Sequence, residues 1–243
     1  MIWIYLSPHL DDAILSCGAR IWQQVQSGDR VEIWTVCTAD SPTYHLPPFA
    51  QMLHARWGTG ESASAVRRAE DQAACAQVGA AYRHLGYPDC IYRFLPDGSP
   101  LVQAEADLFT APFPRESALI ADLAQLLLRE IPKGAQLVCP LTLGSHTDHQ
   151  LTRMAVEQAR LGKWYYADFP YAARLTDIPA ELLPDHWEKE EISLTEEAMA
   201  VWEAAILDYK SQISTFWGTS VDLRTALKQH ADRGWAGLLW QVG

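Results

Sequence analysis

The sequence is short of positive charge. It has 19 Lys and Arg against 30 Asp and Glu, a formal net charge of −11 at pH 7. Nucleic-acid binding wants a basic surface, so this balance speaks against a nucleic-acid partner and leaves neutral or cationic small molecules open. No apolar run approaches the ~20 residues that a membrane-spanning helix needs. No basic stretch precedes an apolar one at the N-terminus, so a secretory signal is not expected. Cysteines are few and odd in number (Cys17, Cys37, Cys75, Cys90 and Cys139), and no two stand in CxxC spacing. Cys17, Cys37 and Cys139 lie in apolar segments. We therefore expect reduced core thiols and a cytoplasmic protein. The glycine fingerprint of dinucleotide sites, the P-loop, HExxH and GxSxG are all missing. Internal repeats and low-complexity segments are missing too.

What is present is a regular alternation of elements. Residues 2–7 read as a buried strand. Apolar residues Ala13, Ile14, Cys17, Ile21, Trp22 and Val25 recur at helical spacing over 13–27, and Gly28-Asp29 ends that helix. Residues 31–38 form a second β-branched run, which completes a βαβ unit and implies a parallel sheet. Residues 40–60, with Pro, His and Gly, read as a long loop. Helices follow at 61–78 and 116–130, with a strand at 82–85 and a mostly loop segment at 88–115. A strand at 136–141 precedes a helix from 147 to about 159. Thr147 and Gln150 have the spacing of a capping box. Residues 164–169 read as a further strand, and 195–212 as the last clear helix. The expected fold class is α/β: a doubly wound, mostly parallel sheet with helices on both faces, in one domain over 1–243.

The chemistry concentrates in two clusters. Ser7-Pro8-His9-Leu10-Asp11-Asp12 follows the first strand, and His146-Thr147-Asp148-His149 follows the strand at 136–141. In a doubly wound sheet all strand C-termini share one edge, so the clusters can meet although far apart in sequence. Zinc takes imidazole nitrogen and carboxylate oxygen, and catalytic sites use three protein ligands. His9, Asp12 and His149 offer such a set, for Zn2+ or another divalent metal. Asp11 then stands beside the metal as a general base. His146, as imidazolium, suits an oxyanion and a leaving amine. Asp148 can orient a neighbouring histidine. In isolation, Asp11-Asp12 also suits a helix cap, and Asp148 a first-turn carboxylate.

These residues resemble a known family. His9-Leu10-Asp11-Asp12 and His146-Thr147-Asp148-His149 are similar to the H-x-D-D and H-x-D-H signatures of PIG-L/LmbE-like N-deacetylases. Arg67-Arg68-Ala69-Glu70, Leu85-Gly86-Tyr87-Pro88-Asp89 and Tyr209-Lys210-Ser211-Gln212 resemble weaker motifs of that family. The resemblance implies a Rossmann-like, zinc-dependent deacetylase acting on N-acetylglucosamine-containing glycans, glycolipids or glycosides. It implies His9, Asp12 and His149 as metal ligands, Asp11 as base, His146 as oxyanion or acid residue, and Arg67 as a substrate contact. Many members carry Glu where this chain has Ala13. Alternatives stay open at this stage. Arg67 can instead pair with Asp71 on its own helix, and Asp89 can be a plain turn residue. Trp57 and Tyr44 are candidates for the border of a sugar site. His45, His54, His84, His186 and His230 read as surface or satisfied structural residues. The substrate expected is a small N-acetylated amino sugar. A non-sugar acyl amide and a non-catalytic metal-binding module are the competing readings. Oligomerisation is left open.

Overall fold

The computed structural model describes residues 1–162, 164–183 and 186–242. In chain order the elements are β1 (Ile2–Ser7), α1 (Asp12–Gln26), β2 (Arg30–Cys37), α2 (Pro48–Trp57), α3 (Ala63–Val78), β3 (Ala81–Tyr87), α4 (Ser117–Glu130), β4 (Gln136–Pro140), α5 (Thr147–Gln158), β5 (Trp164–Tyr166), β6 (Trp187–Glu191), α6 (Glu196–Leu207), α7 (Lys210–Phe216), α8 (Ser220–Asp232) and β7 (Leu238–Val242). The strands lie in one sheet in the order β3-β2-β1-β4-β5-β7-β6. β1 to β5 pair in parallel, while β7 runs antiparallel to both of its neighbours. The fold is a doubly wound, mostly parallel α/β sheet, as expected.

Both faces are covered, which is why the central strands are continuously apolar. Side chains alternate across a strand. Trp3 and Tyr5 of β1 join a core with α1, α3, α6 and α8. Ile4 and Leu6 join the opposite core, with α4 and α5. Gly18 lets α1 and α6 close up: a Cβ there would stand 2.4 Å from Trp202 Cδ1. A third, smaller apolar cluster unites Phe49, Ala50 and Leu53 of α2 with residues 90–102. It flanks the edge where the strand C-termini emerge.

The sequence expectation misses several elements. The 40–60 segment is not all loop, because α2 opens with Pro48 in its first turn and ends at Gly58 with φ 66°. Proline at the start and a left-handed glycine at the end are the terminal signals of a helix. The helix expected at 195–212 is two helices, α6 and α7, separated at Asp208 and Tyr209. β5 stops at Tyr166, and β6, α8 and β7 were not foreseen. The N-cap of α5 is His146, whose side chain accepts from the Asp148 amide, not Thr147. Thr147 Oγ1 instead donates to Thr110 O at 2.7 Å.

Candidate active site

The chain runs from β1 out through β2 to β3 on one side, then returns to β4 on the other side of β1, so the C-terminal ends of β1 and β4 frame the switch-point crevice where such sheets bind ligands. The two polar clusters sit there. After β1 the turn is organised by Ser7. Its Oγ donates to His9 O at 2.6 Å and accepts the first-turn amide of Ala13 at 3.0 Å. Asp11 occupies the cap position but makes no side-chain cap hydrogen bond. Its carboxylate is therefore free of the helix-cap role. After β4, Thr142 has φ 68°, Ser145 φ 58° and Gly144 φ 87°. A Cβ on Gly144 would stand 2.4 Å from Tyr171 Cδ1, so this loop packs tightly against the cavity wall. Thr142 is β-branched and strained in that region of backbone space.

His9 and Asp148 are 139 positions apart, yet His9 Nε2 faces Asp148 Oδ2 at 2.9 Å. His9 Nδ1 lies 3.1 Å from Asp12 Oδ2, and His149 Nε2 lies 3.3 Å from the same oxygen. Ligand atoms sharing a tetrahedral ion at ~2.1 Å stand roughly 3.3–3.5 Å apart, so both histidine–Asp12 separations are close to those of ligands on one ion. His9, His146 and His149 also place one nitrogen each within 4.8 Å of one another. The Nδ1 of His146 is occupied, since it accepts from the Asp148 amide at 3.2 Å. A neutral ring then carries its proton on Nε2.

The electrostatics favour a cation at this point. Burial works against a charged His149, but the Asp12 and Asp168 carboxylates outweigh it and push the group up to about 9. His9 is likewise held well above its ordinary value: burial opposes the charge, but Asp12 and Asp148 prevail. Two imidazoles drawn toward the cationic form mark a place short of positive charge. His146 goes the other way: burial and the charges on His9 and His149 hold it well below the ordinary value. The imidazolium expected at His146 is therefore not what its surroundings favour; a neutral Nε2–H donor is. Burial and the neighbouring Asp12 charge raise Asp11 to about 7, with Arg67 pulling back.

Arg67 does not pair with Asp71. Its Nη2 lies 3.5 Å from Asp11 Oδ2 and its Nη1 3.9 Å from Asp89 Oδ2. Its guanidinium sits 4.9 Å from the Trp57 ring centroid, a cation–π distance. Asp71 is taken by His84 and Tyr209, at 2.8 and 2.9 Å. A cavity opens over this floor. It is bordered by His9, Asp11, Asp12, Arg67, Asp89 and His146 below, and by Phe49, Leu53, Trp57, Phe109, Tyr171 and Phe216 above. Trp57 borders it as expected; Tyr44 does not, being 84% exposed elsewhere. Asp89 is more than a turn residue, since His9 Nε2 lies 3.8 Å from its Oδ2. His84 is satisfied by Asp71; His54 is satisfied at Nε2 by the Tyr92 hydroxyl but, among the described residues, not at Nδ1. His230 is not: it is buried and, among the described residues, neither ring nitrogen has a partner.

Sequence reasoning missed two residues. Asp168 Oδ1 faces His149 Nδ1 at 2.6 Å, while its Oδ2 accepts from the Leu143 amide. It follows β5, next to β4, so a carboxylate just past a third parallel strand was the available signal. Arg93 lies 2.6 Å from Asp148 Oδ1 and had no motif to mark it.

A polar floor of histidines and carboxylates at the switch point, closed by an aromatic wall, defines a hydrolytic centre able to hold a divalent metal. The chain belongs to the PIG-L family: the family model described as GlcNAc-PI de-N-acetylase matches residues 4–160. A 2'-N-acetylparomamine deacetylase of Niallia circulans is 27% identical over 240 residues, covering 91% of this chain and 84% of that protein. The zinc-inhibited form of teicoplanin deacetylase superposes with a TM-score of 0.80 at 29% identity, over 99% of this chain and 97% of that one. The A40926 pseudoaglycone deacetylase gives 0.75 at 32% identity, over 99% and 96%. This chain is accordingly an N-deacetylase.

Proposed function

We propose that this enzyme removes the N-acetyl group from an amino sugar of the N-acetylglucosamine type, in a metal-dependent reaction. The observation that carries the reading is the position of Asp12 Oδ2, close to both His9 Nδ1 and His149 Nε2, with the uncapped Asp11 carboxylate beside it. His9, Asp12 and His149 would hold the cation, with zinc the natural fit to two imidazoles and a carboxylate. Such a cation, when bound, polarises an amide carbonyl and acidifies water.

The chain's own groups supply the proton traffic. Asp11 accepts a proton from the attacking water, and burial, which with Asp12 raises it to about 7, suits it to that task. His146 Nε2–H donates to the carbonyl oxygen as that oxygen gains negative charge. When the C–N bond breaks, Asp11 returns its proton to the departing nitrogen, and acetate and a free amine result. Asp148 and Asp168 hold His9 and His149 from behind. Arg67 restrains Asp11 and, with Trp57, borders the space for the sugar.

The sugar reading draws on the family description and on the relatives named above; their compounds carry N-acetyl groups or are deacetylated. The aromatic wall adds a surface on which a sugar ring or a bulky aglycone can stack. We further propose that residues 1–243 act as one domain. The test is a panel of N-acetylglucosaminides and non-sugar acyl amides, followed by amine and acetate release. Release from the glycosides alone supports the reading. Release only from non-sugar amides contradicts the substrate class, and release unaffected by chelation contradicts the metal.

A further inference from the structure

Asp148 is fully buried, and a guanidinium buried beside it has no place in the scheme above. Arg93 Nη2 lies 2.6 Å from Asp148 Oδ1. The same group is fixed from the other side: Nη2 donates to Glu116 Oε2 at 3.1 Å, Nε lies 2.7 Å from Glu116 Oε1, and Nη1 donates to Pro88 O at 3.1 Å. Beyond Asp148, its Oδ2 accepts from the Cys90 amide at 3.0 Å and faces His9 Nε2 at 2.9 Å. His9 Nδ1 then faces Asp12. A line of charged groups thus runs inward from Glu116, at the start of α4, through Arg93 and Asp148 to the His9 imidazole. The side chains of Arg93, Glu116 and Asp148 are 8%, 9% and 0% exposed.

We infer that Arg93 is a positioning residue for His9: by pairing with Asp148 it keeps that carboxylate aimed at the Nε2–H, so that the Nδ1 lone pair points to the place shared with Asp12 and His149. A neutral imidazole has one N–H, and whichever nitrogen keeps it cannot ligate a metal. Asp148 decides the matter only while its own orientation is held. Without Arg93 its buried charge keeps only the Cys90 amide and the His9 Nε2–H on Oδ2, and its Oδ1 loses the ion pair. A clamp between the 88–93 segment and α4 explains the contacts to Glu116 and Pro88. It does not require the close approach to Asp148. The inference rests on the metal reading proposed above.

The experiment uses the full chain as wild type, Arg93→Met, Arg93→Lys and the double variant Arg93→Met/Asp148→Asn. Zinc affinity is measured by competition with a chromophoric chelator, and the His9 Nε2–H resonance is followed by 15N-edited NMR in the zinc-loaded protein. Arg93→Met is expected to weaken zinc binding roughly 10–100-fold, the usual consequence of losing an outer partner of a ligand. Its His9 Nε2–H signal should broaden or vanish, Arg93→Lys should recover most of the affinity, and KM at saturating zinc should hold. If Arg93→Met does not fold, the double variant, which removes the Arg93 and Asp148 charges together and leaves Glu116, should show the same loss. Wild-type zinc affinity and an unchanged Nε2–H signal in either folded variant overturn the inference alone. A wild-type chain that binds no divalent cation overturns the metal reading as well.

Discussion

Removing the metal should make the protein alkali-sensitive, and His149 sets the size of the effect. Burial works against its charge, but the Asp12 and Asp168 carboxylates push this group up to about 9, above its ordinary 6.5. A histidine raised on folding stabilises the folded state fully below the unfolded value, and that stability is lost as pH rises through the folded one. The gap is about 2.5 units, so the loss is roughly 3 kcal/mol, to order of magnitude. His9 is raised too and adds to it. For a chain of this size each kcal/mol moves Tm by about 2–4 °C, so the metal-free protein should lose roughly 6–12 °C between about pH 6.5 and 9.5. A bound cation takes the place of these protons, and the metal-loaded protein should not show that slope. Paired thermal melts of chelator-treated and loaded protein across the window measure both. His149→Gln, metal-free, should flatten the curve. A flat curve for the metal-free wild type, or the same slope with and without metal, refutes the electrostatic account of the site.

Three further outcomes are expected. Asp168→Asn removes the carboxylate behind His149 and should weaken metal binding roughly 10–100-fold, read by competitive chelation; unchanged affinity contradicts its role as that ligand's partner. Gly144→Ala forces a methyl against Tyr171 and a side chain into φ 87°, so stability should fall by about 1–3 kcal/mol in urea unfolding, with lower turnover; a neutral result means the Tyr171 wall yields. His230 is pushed down to about 3 by burial, with Arg233 adding to it, so the folded state refuses a proton that the unfolded chain takes below 6.5. Stability should fall by about 1.4 kcal/mol per pH unit below that point. His230→Phe should remove this slope between about pH 6.5 and 5, and a variant as acid-sensitive as the wild type counts against it.

The central βαβ units were legible because their patterns are plain: short continuous apolar or β-branched runs, then steps of three and four along one helical face. Both halves of the site were legible for the same reason, since each follows a strand that reads clearly. Periodicity failed where packing decides. β6, Trp-Glu-Lys-Glu-Glu, is mostly charged and is a strand only because β7 pairs with it. The break at Asp208-Tyr209 is invisible in an apolar helical pattern; it coincides with the Tyr209 hydroxyl bonding Asp71 and with Ser211 bonding Glu70. These contacts join two motifs that had separate readings in the sequence. Arg93 and Asp168 lie within no recognisable motif, and only the tertiary structure brings their charges to Asp148 and His149.

The central claim is that this chain hydrolyses an N-acetyl amide with Asp11 as base, and that His9, Asp12 and His149 would hold the divalent cation the reaction needs. The most direct measurement is acetate release from an N-acetylglucosaminide by stripped wild type and Asp11→Asn as zinc, manganese or cobalt is returned up to and beyond one equivalent. The manganese and cobalt arms separate the plateau from inhibition by excess zinc, since one relative is known in a zinc-inhibited form. The account predicts that wild-type activity rises in proportion to metal and levels at one equivalent per chain. It also predicts that Asp11→Asn binds the same single equivalent but turns over ~10²–10⁴-fold more slowly. Release by the stripped protein, or an Asp11→Asn variant as active as wild type, contradicts it.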